Sequence, residues 1–525
     1  MRTYKNTYIS QSGRFKPLGS QKRICSALAV LLLFCSVVKA EQKMPPPQAR
    51  APVSLANDVQ LPSGAALRFE ADTYEQLRDR KQIRLTDFPL TKQESIELEL
   101  EQFEVTTPST IIVEGTAEGD KPIPHPEVVL FRGRVVDVED SEAVIGISPY
   151  GNNGYIRTGD LLYYLSPDRK AGKSGRTNLH SIAEKAQITG GRSAKPFQCS
   201  FIPAPEAAAL VNDGDIVVED SYDWIVAFVA IECDYAYYQH FGGDKSAALA
   251  YLLQLTGTVS SFYERDMNIK WLVTYFRIWS SPDPFLSYPP YDSDEILSHF
   301  TDYWRINMGH IDRNIAMLFS SDAGDFGLAY GFTMCDRDRH FALCNGIKGW
   351  FPRPVQDLHA DNWDLHVVAH EAGHVFGSLH THCYDPPIDN CGAVDSDAND
   401  PLCQHRTVFD ECVPGTIMSY CGRDLCGGYA NELMSFHPRV AGCIRNYLAV
   451  FDCLRHGLNP VYTDWRNTGF ENGTMAFPFN TPAKSVQIVI PDGTVYIYSG
   501  SYPESLIVNR PVTLIATGGM VTIGG

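Results

Sequence analysis

Residues 370–380 read His370-Glu371-Ala-Gly-His374-Val-Phe-Gly377-Ser-Leu-His380. Histidines four apart lie on one face of a helix, about one turn from each other, so their imidazoles converge on a single point. Glu371 follows the first histidine and can reach a water held at that point. Gly377 stands three residues after His374, where the positive φ that glycine tolerates lets a helix break. The turn returns His380 toward the first two histidines. Three imidazoles with a fourth position left over are the donor set of a catalytic rather than a structural zinc site. The expected zinc ligands are therefore His370, His374 and His380, with Glu371 as general base. Of the neighbouring histidines, His366, one turn before His370, either supports the ligand or, as its reading favours, is simply packed or exposed. His382 competes less well for the third ligand position than His380, which Gly377 serves by its spacing.

Met418, in Gly415-Thr-Ile-Met418-Ser-Tyr420, follows His380 by 38 residues and would sit in a turn beneath the metal. A zinc motif of this form followed by such a turn resembles the metzincin metalloproteases. The nearest likeness is to the reprolysin (adamalysin) group and its secreted bacterial relatives. Supporting strings are Ile231-Glu-Cys-Asp-Tyr, Tyr263-Glu-Arg-Asp-Met-Asn-Ile and Gly327-Leu-Ala-Tyr-Gly, with upstream Phe131-Arg-Gly-Arg-Val and Gly154-Tyr-Ile-Arg similar to a reprolysin propeptide.

The resemblance implies an α/β (α+β) catalytic domain with a twisted, mostly parallel sheet and a zinc helix. It implies a zinc endopeptidase made as a zymogen, acting on extracellular proteins or peptides. The substrate would add as a strand along Gly327, Leu328, Ala329 and Tyr330. Two positions depart from the reprolysin pattern: Thr381 stands where those enzymes usually place Asp, and Tyr420 follows Met418 by two, as in the astacin and serralysin groups. Tyr420 either reaches the metal or oxyanion, or is an ordinary packed tyrosine. Cys199, alone in the pro-region, is a candidate latency cysteine that would bind the zinc; the alternative is a disulfide to the catalytic domain. Reprolysin relatives often bind Ca2+ as well. Asp395, Asp397, Asn399 and Asp400 lack the Gly and distal Glu of an EF-hand loop and read as an exposed acidic loop, so calcium stays unplaced.

The 525 residues are too many for one core, and 44% hydrophobic with 20% charged is a globular composition. Residues 1–23 carry cations and no acid, and Ile24 to Val38 is apolar before Val38-Lys39-Ala40, the pattern of a secretory signal cut after Ala40. The expected product is secreted or at the cell surface, with no stable membrane insertion after signal removal. Formal charge is −18 for the whole chain and −25 without residues 1–40, which disfavours nucleic acid as partner. Eleven of the fourteen cysteines lie between Cys233 and Cys453, an odd number, in a chain expected to form disulfides. Oligomeric state leaves no mark in the sequence.

The expected organisation is multidomain: signal peptide 1–40, linker 41–62, β-rich propeptide 63–168 and connector with processing region 169–221. Then come the protease domain 222–455, linker 456–485 and a β-rich tail 486–525 resembling the start of a right-handed parallel β-helix. Within the protease domain, strands are expected at 224–231, 269–279, 313–319 and 327–334. Helices are expected at 245–265, 293–308 and 363–377. A competing functional reading makes the tail the working part, as a surface adhesion or carbohydrate-binding protein, with the protease domain accessory.

Overall fold

The computed structural model describes residues 3–4, 7–9, 46–61, 63–168, 176–185, 198–203, 224–285, 293–321, 326–351, 363–389, 414–420, 433–449 and nearly all of 451–524. The described chain divides into two compact units: Ala49–Gly457, and Leu458–Gly525 together with Met1–Gln48.

The larger unit holds two sheets. The first has ten strands, in the order 48–50, 82–89, 95–103, 129–135, 141–147, 153–158, 161–167, 179–184, 65–69 and 53–55, with antiparallel neighbours from 82–89 onward. It draws in chain beyond the bounds expected from sequence. Gln48–Arg50 and Val53–Leu55 lie in the expected linker, and Leu179–Glu184 lies in the expected connector. Three-residue strands are too short to show a period, yet they are held: Ala51 N–H donates to the Thr86 carbonyl at 2.8 Å.

The second sheet runs 198–203, 326–331, 341–344, 315–319, 225–233, 269–279, 106–116 and 119–122, with Arg455–His456 alongside 225–233. Its centre is parallel: Ile225–Cys233 pairs with both Ile269–Trp279 and Ile315–Phe319. All nine residues of Ile225–Cys233 are buried, as a strand covered on both faces requires, which is why it reads as one apolar run. Phe326–Gly331 runs antiparallel to Phe341–Cys344.

Two departures matter for function. The hairpin Thr106–Pro122, expected in the propeptide, belongs to this second sheet, pairing parallel with Ile269–Trp279. Furthermore, Gln198–Pro203, from the expected connector, pairs parallel with Phe326–Gly331. The stretch Gly327–Tyr330 expected as a free edge is therefore covered here by another strand.

The helix Lys245–Met267 crosses the sheet. Asp244 starts it by accepting from Ser246 and Ala247 N–H at 3.0 and 3.1 Å, and Asn268 ends it in the left-handed conformation at φ 53°. Helices Ser293–Asn307 and Trp363–Val375 follow near their expected places. Among the described elements that escape the sequence reading are the short helix Tyr235–His240 capped by Asp234, the strand Phe341–Cys344, and the helix Pro438–Leu448.

In the smaller unit, Val461–Thr463, Thr494–Tyr502 and Thr513–Ile523 are parallel and stacked so that Val461, Val495 and Leu514 lie in one column. Where a first strand was expected from residue 486, the chain forms the helix Pro482–Ile488. Thr481 accepts from Lys484 N–H, and Pro482 sits at the helix start, where its missing N–H costs nothing. Thr3–Tyr4 and Thr7–Ile9 pair antiparallel with Leu506–Ile507 and Val521–Ile523. Both short strands fall within the stretch read as an export signal, whose apolar core Ile24–Val38 lies outside the described residues. No helix among the described residues is long and apolar enough to cross a membrane.

Candidate metal centre

The helix Trp363–Val375 is buried along its whole length. It carries His370 and His374 on one face, and their Nε2 atoms lie 3.2 Å apart. Gly377 adopts φ +97°, and the Tyr447 ring occupies the space a Cβ there would need. Beyond this break the chain returns His380, whose Nε2 comes within 3.1 Å of His374 Nε2. The three imidazoles thus meet at one point, all buried.

The other ring nitrogens are fixed by the backbone. His370 Nδ1 lies 2.6 Å from the Ile417 carbonyl, and His374 Nδ1 lies 2.9 Å from the Ser378 carbonyl. A carbonyl only accepts, so each Nδ1 carries the proton and each Nε2 presents its lone pair. Burial, and then the neighbouring imidazoles, hold His370 well below the usual histidine range and so neutral. Three imidazole nitrogens converging on one point, two of them on rings oriented from behind, fit a zinc ion.

Glu371 is wholly buried, and its carboxylate lies against the backbone of Gly327 in the strand Phe326–Gly331; a Cβ at Gly327 would overlap Oε1. The general-base candidate thus sits beside the strand expected to bind substrate. Met418 is buried, with its sulfur over Gly373 of the motif helix. It lies in a turn closed by Ser419 N–H to the Thr416 carbonyl at 2.8 Å. Thr381, which departs from the reprolysin pattern, ties the third-ligand turn to this one, donating its N–H to the Met418 carbonyl at 3.0 Å.

Tyr420 is 2% exposed, with its ring centroid 4.3 Å from His380 and 6.2 Å from His370. It belongs to the site by position. His366 packs on His370 at 5.1 Å, and His382 stacks on His380 at 5.4 Å. The backbone register sets Cys199 beside Gly327; its side chain lies outside the described residues, as do Asp395, Asp397, Asn399 and Asp400.

Sequence reasoning misses the residues that hold the motif helix. Tyr263 Oη donates to the Ala369 carbonyl at 2.8 Å. Asp364 accepts from Tyr251 Oη at 2.6 Å and from the N–H groups of Lys348 and Gly349 at 2.8 and 2.9 Å. An acid six residues ahead of the first ligand was the available signal for Asp364.

Residues 224–432 match the family Reprolysin_5, metallo-peptidase family M12. Over 165 residues the chain is 25% identical to disintegrin and metalloproteinase domain-containing protein unc-71 of Caenorhabditis elegans. That match covers 31% of this chain and 15% of the relative's length. Metalloproteinase-II from Bacteroides fragilis superposes on 57% of this chain and 81% of its own, at 14% identity and a TM-score of 0.31. The converging histidines and the family match agree: residues 224–432 are a reprolysin-like metzincin domain, the metalloendopeptidase domain of family M12.

Proposed function

We propose that the protein is a secreted zinc endopeptidase made as a zymogen, cleaving extracellular proteins with Glu371 as general base. The observation that carries this reading is the convergence of three Nε2 atoms beside a buried glutamate that lies against the strand Phe326–Gly331. A zinc ion bound there supplies a Lewis acid that polarises the scissile carbonyl and acidifies water. The chain's own groups do the rest. His370, His374 and His380 would hold the ion, the first two with rings oriented by the Ile417 and Ser378 carbonyls. Glu371 takes the proton from the attacking water and delivers it to the leaving amine. Tyr420, whose ring lies beside those of His370, His380 and His382, would donate toward the developing oxyanion in this reading. An extended substrate would pair with the main chain of Gly327–Tyr330, a geometry that gives affinity through backbone hydrogen bonds.

Latency is supported by the strand Gln198–Pro203, which takes the hydrogen-bonding edge that such a substrate needs. Its register beside Gly327 favours Cys199 as the latency cysteine. Export is supported by the cationic, then apolar, N-terminus and by the disulfide Cys335–Cys453. The reading that makes the tail the working part is not favoured, because the family match falls on the protease domain, with its ligands and glutamate intact.

The test is casein digestion by the processed protein with and without 1,10-phenanthroline, alongside Glu371→Ala. The variant should keep its zinc and fold while losing cleavage. Cleavage by Glu371→Ala, or cleavage untouched by the chelator, would overturn the proposal.

A further inference from the structure

We propose that residues 49–184 are a permanent part of the folded enzyme rather than a segment shed on maturation, and that only the stretch carrying Gln198–Pro203 leaves. The proposal rests on the zymogen reading for the step it calls maturation. Its structural half stands on packing alone.

The helix Lys245–Met267 shows why. Nineteen of its 23 residues are buried, whereas a helix on a domain surface keeps one polar, wet face. One side packs on the strand Ile269–Trp279, with Tyr263 and Trp271 ring centroids 5.0 Å apart. Another side meets the ten-stranded sheet. The Leu130 side chain fills the space beside Gly257, Gln254 fills that beside Gly146, and the Tyr155 and Phe262 rings lie 5.4 Å apart. Phe103, Leu130, Val144, Tyr155 and Tyr164 share one continuous core with the helix. Loss of the sheet would put that apolar face in water, the dominant unfavourable term in separating packed surfaces.

Buried polar groups cross the same boundary. Gln254, 1% exposed, accepts from the N–H and Nδ2 of Asn153 at 2.9 and 2.8 Å and donates to the Gly151 carbonyl at 2.9 Å. Arg132 bridges Glu101 of its own sheet at 3.0 Å and Glu264 of the helix at 2.5 Å; the three side chains are 11%, 6% and 3% exposed. Buried polar groups matched in this way are the mark of an interior, not of a detachable cover.

The sheet itself is shared. The hairpin Thr106–Pro122 completes it beyond Ile269–Trp279, and Asp120 accepts from Arg277 Nη2 at 2.6 Å and Tyr275 Oη at 3.0 Å. Without the hairpin, an eleven-residue strand rich in Trp, Val, Phe and Ile would become an open edge, a template for aggregation. Gln198–Pro203 differs. It lies at the outer margin of the sheet, paired on one side with Phe326–Gly331, and its Ile202 is 42% exposed.

The experiment uses the chain from residue 41 onward, so that Thr3–Tyr4 and Thr7–Ile9 cannot tether the fragments through the tail, with recognition sites for an added site-specific protease, one between residues 186 and 197 and one between 204 and 221. After cutting, the fragment ending at the first site and the fragment beginning at the second should co-elute in size-exclusion chromatography and part only in denaturant. The peptide carrying 198–203 should elute separately. Amide exchange across 245–267 should stay slow. Separate elution of the two large fragments, precipitation of either one alone, or fast exchange in that helix overturns the permanent-part proposal. Retention of the short peptide overturns its second half. Because an added protease does the cutting, association is read without any activity of this chain. If the cut complex stays together but leaves casein intact, the zymogen reading fails while the structural half stands.

Discussion

Gly327 and Gly373, like Gly377, are positions where the absence of a side chain serves the metal centre. At Gly327 a methyl group would collide with Cγ, Cδ and Oε1 of Glu371, a wholly buried side chain. Gly327→Ala should therefore cost about 1–3 kcal/mol by overpacking and lower kcat by about 100-fold through misplacement of the base; assay of kcat beside a melting curve checks both. At Gly373 the methyl would meet Met418 and Phe436, which are both buried. Gly373→Ala should cost about 1–3 kcal/mol by overpacking, measurable by urea denaturation.

The ligands themselves are legible in sequence because their geometry is local: a helix face and one glycine turn fix all three. The Ile417 carbonyl that orients His370 is 47 residues away and belongs to the backbone, so no residue type announces it. The Ser378 carbonyl is near in sequence and equally silent.

Among the elements, the motif helix depends on an anchor at its first turn. Both oxygens of Asp364 accept, one from Lys348 N–H and the other from Gly349 N–H and Tyr251 Oη. Asp364→Asn turns one acceptor into a donor facing an N–H group. It should cost about 1–3 kcal/mol as an unmatched buried polar contact, read by chemical denaturation, with zinc content retained. Long apolar elements such as Ile269–Trp279 are where sequence and structure agree best, since eleven residues of pattern outweigh local ambiguity. The short pieces are where they part. Phe341–Cys344 has four residues and no visible period, and Pro482–Ile488 is helical because of its cap and initial proline despite a β-branched sequence. Strand partners lie further still beyond sequence reasoning: nothing local says that Thr106–Thr116 pairs with Ile269–Trp279 rather than with its neighbours in the chain.

For the whole molecule, the odd count of eleven cysteines becomes even. Cys233, Cys344 and Cys443 are buried free thiols, which leaves eight. Of these, Cys335 and Cys453 pair, Cys383 is also disulfide-bonded, and the other five lie outside the described residues. The Cys335–Cys453 bond closes a span of 118 residues. Cys335→Ser should lower stability by about 2–5 kcal/mol, seen as a reduced denaturation midpoint. Removing zinc with 1,10-phenanthroline should lower the melting temperature, and by the same amount in Glu371→Ala, because a ligand bound only to the folded state stabilises it by mass action and the three histidines are untouched. A smaller shift in the variant would mean that Glu371 helps to hold the metal.

The helix Lys245–Met267, packed on more than one side, also bears on how this sequence can change over time. A surface helix offers every third or fourth position to neutral drift. Here no periodic row of free positions exists, so saturation mutagenesis across 245–267 should return a flat profile of intolerance instead of a wave with a 3.6-residue period. Substitutions that persist in this helix should then arrive paired with compensating changes around Leu130, Gly146 and Tyr155, and the two sheets would evolve as one unit.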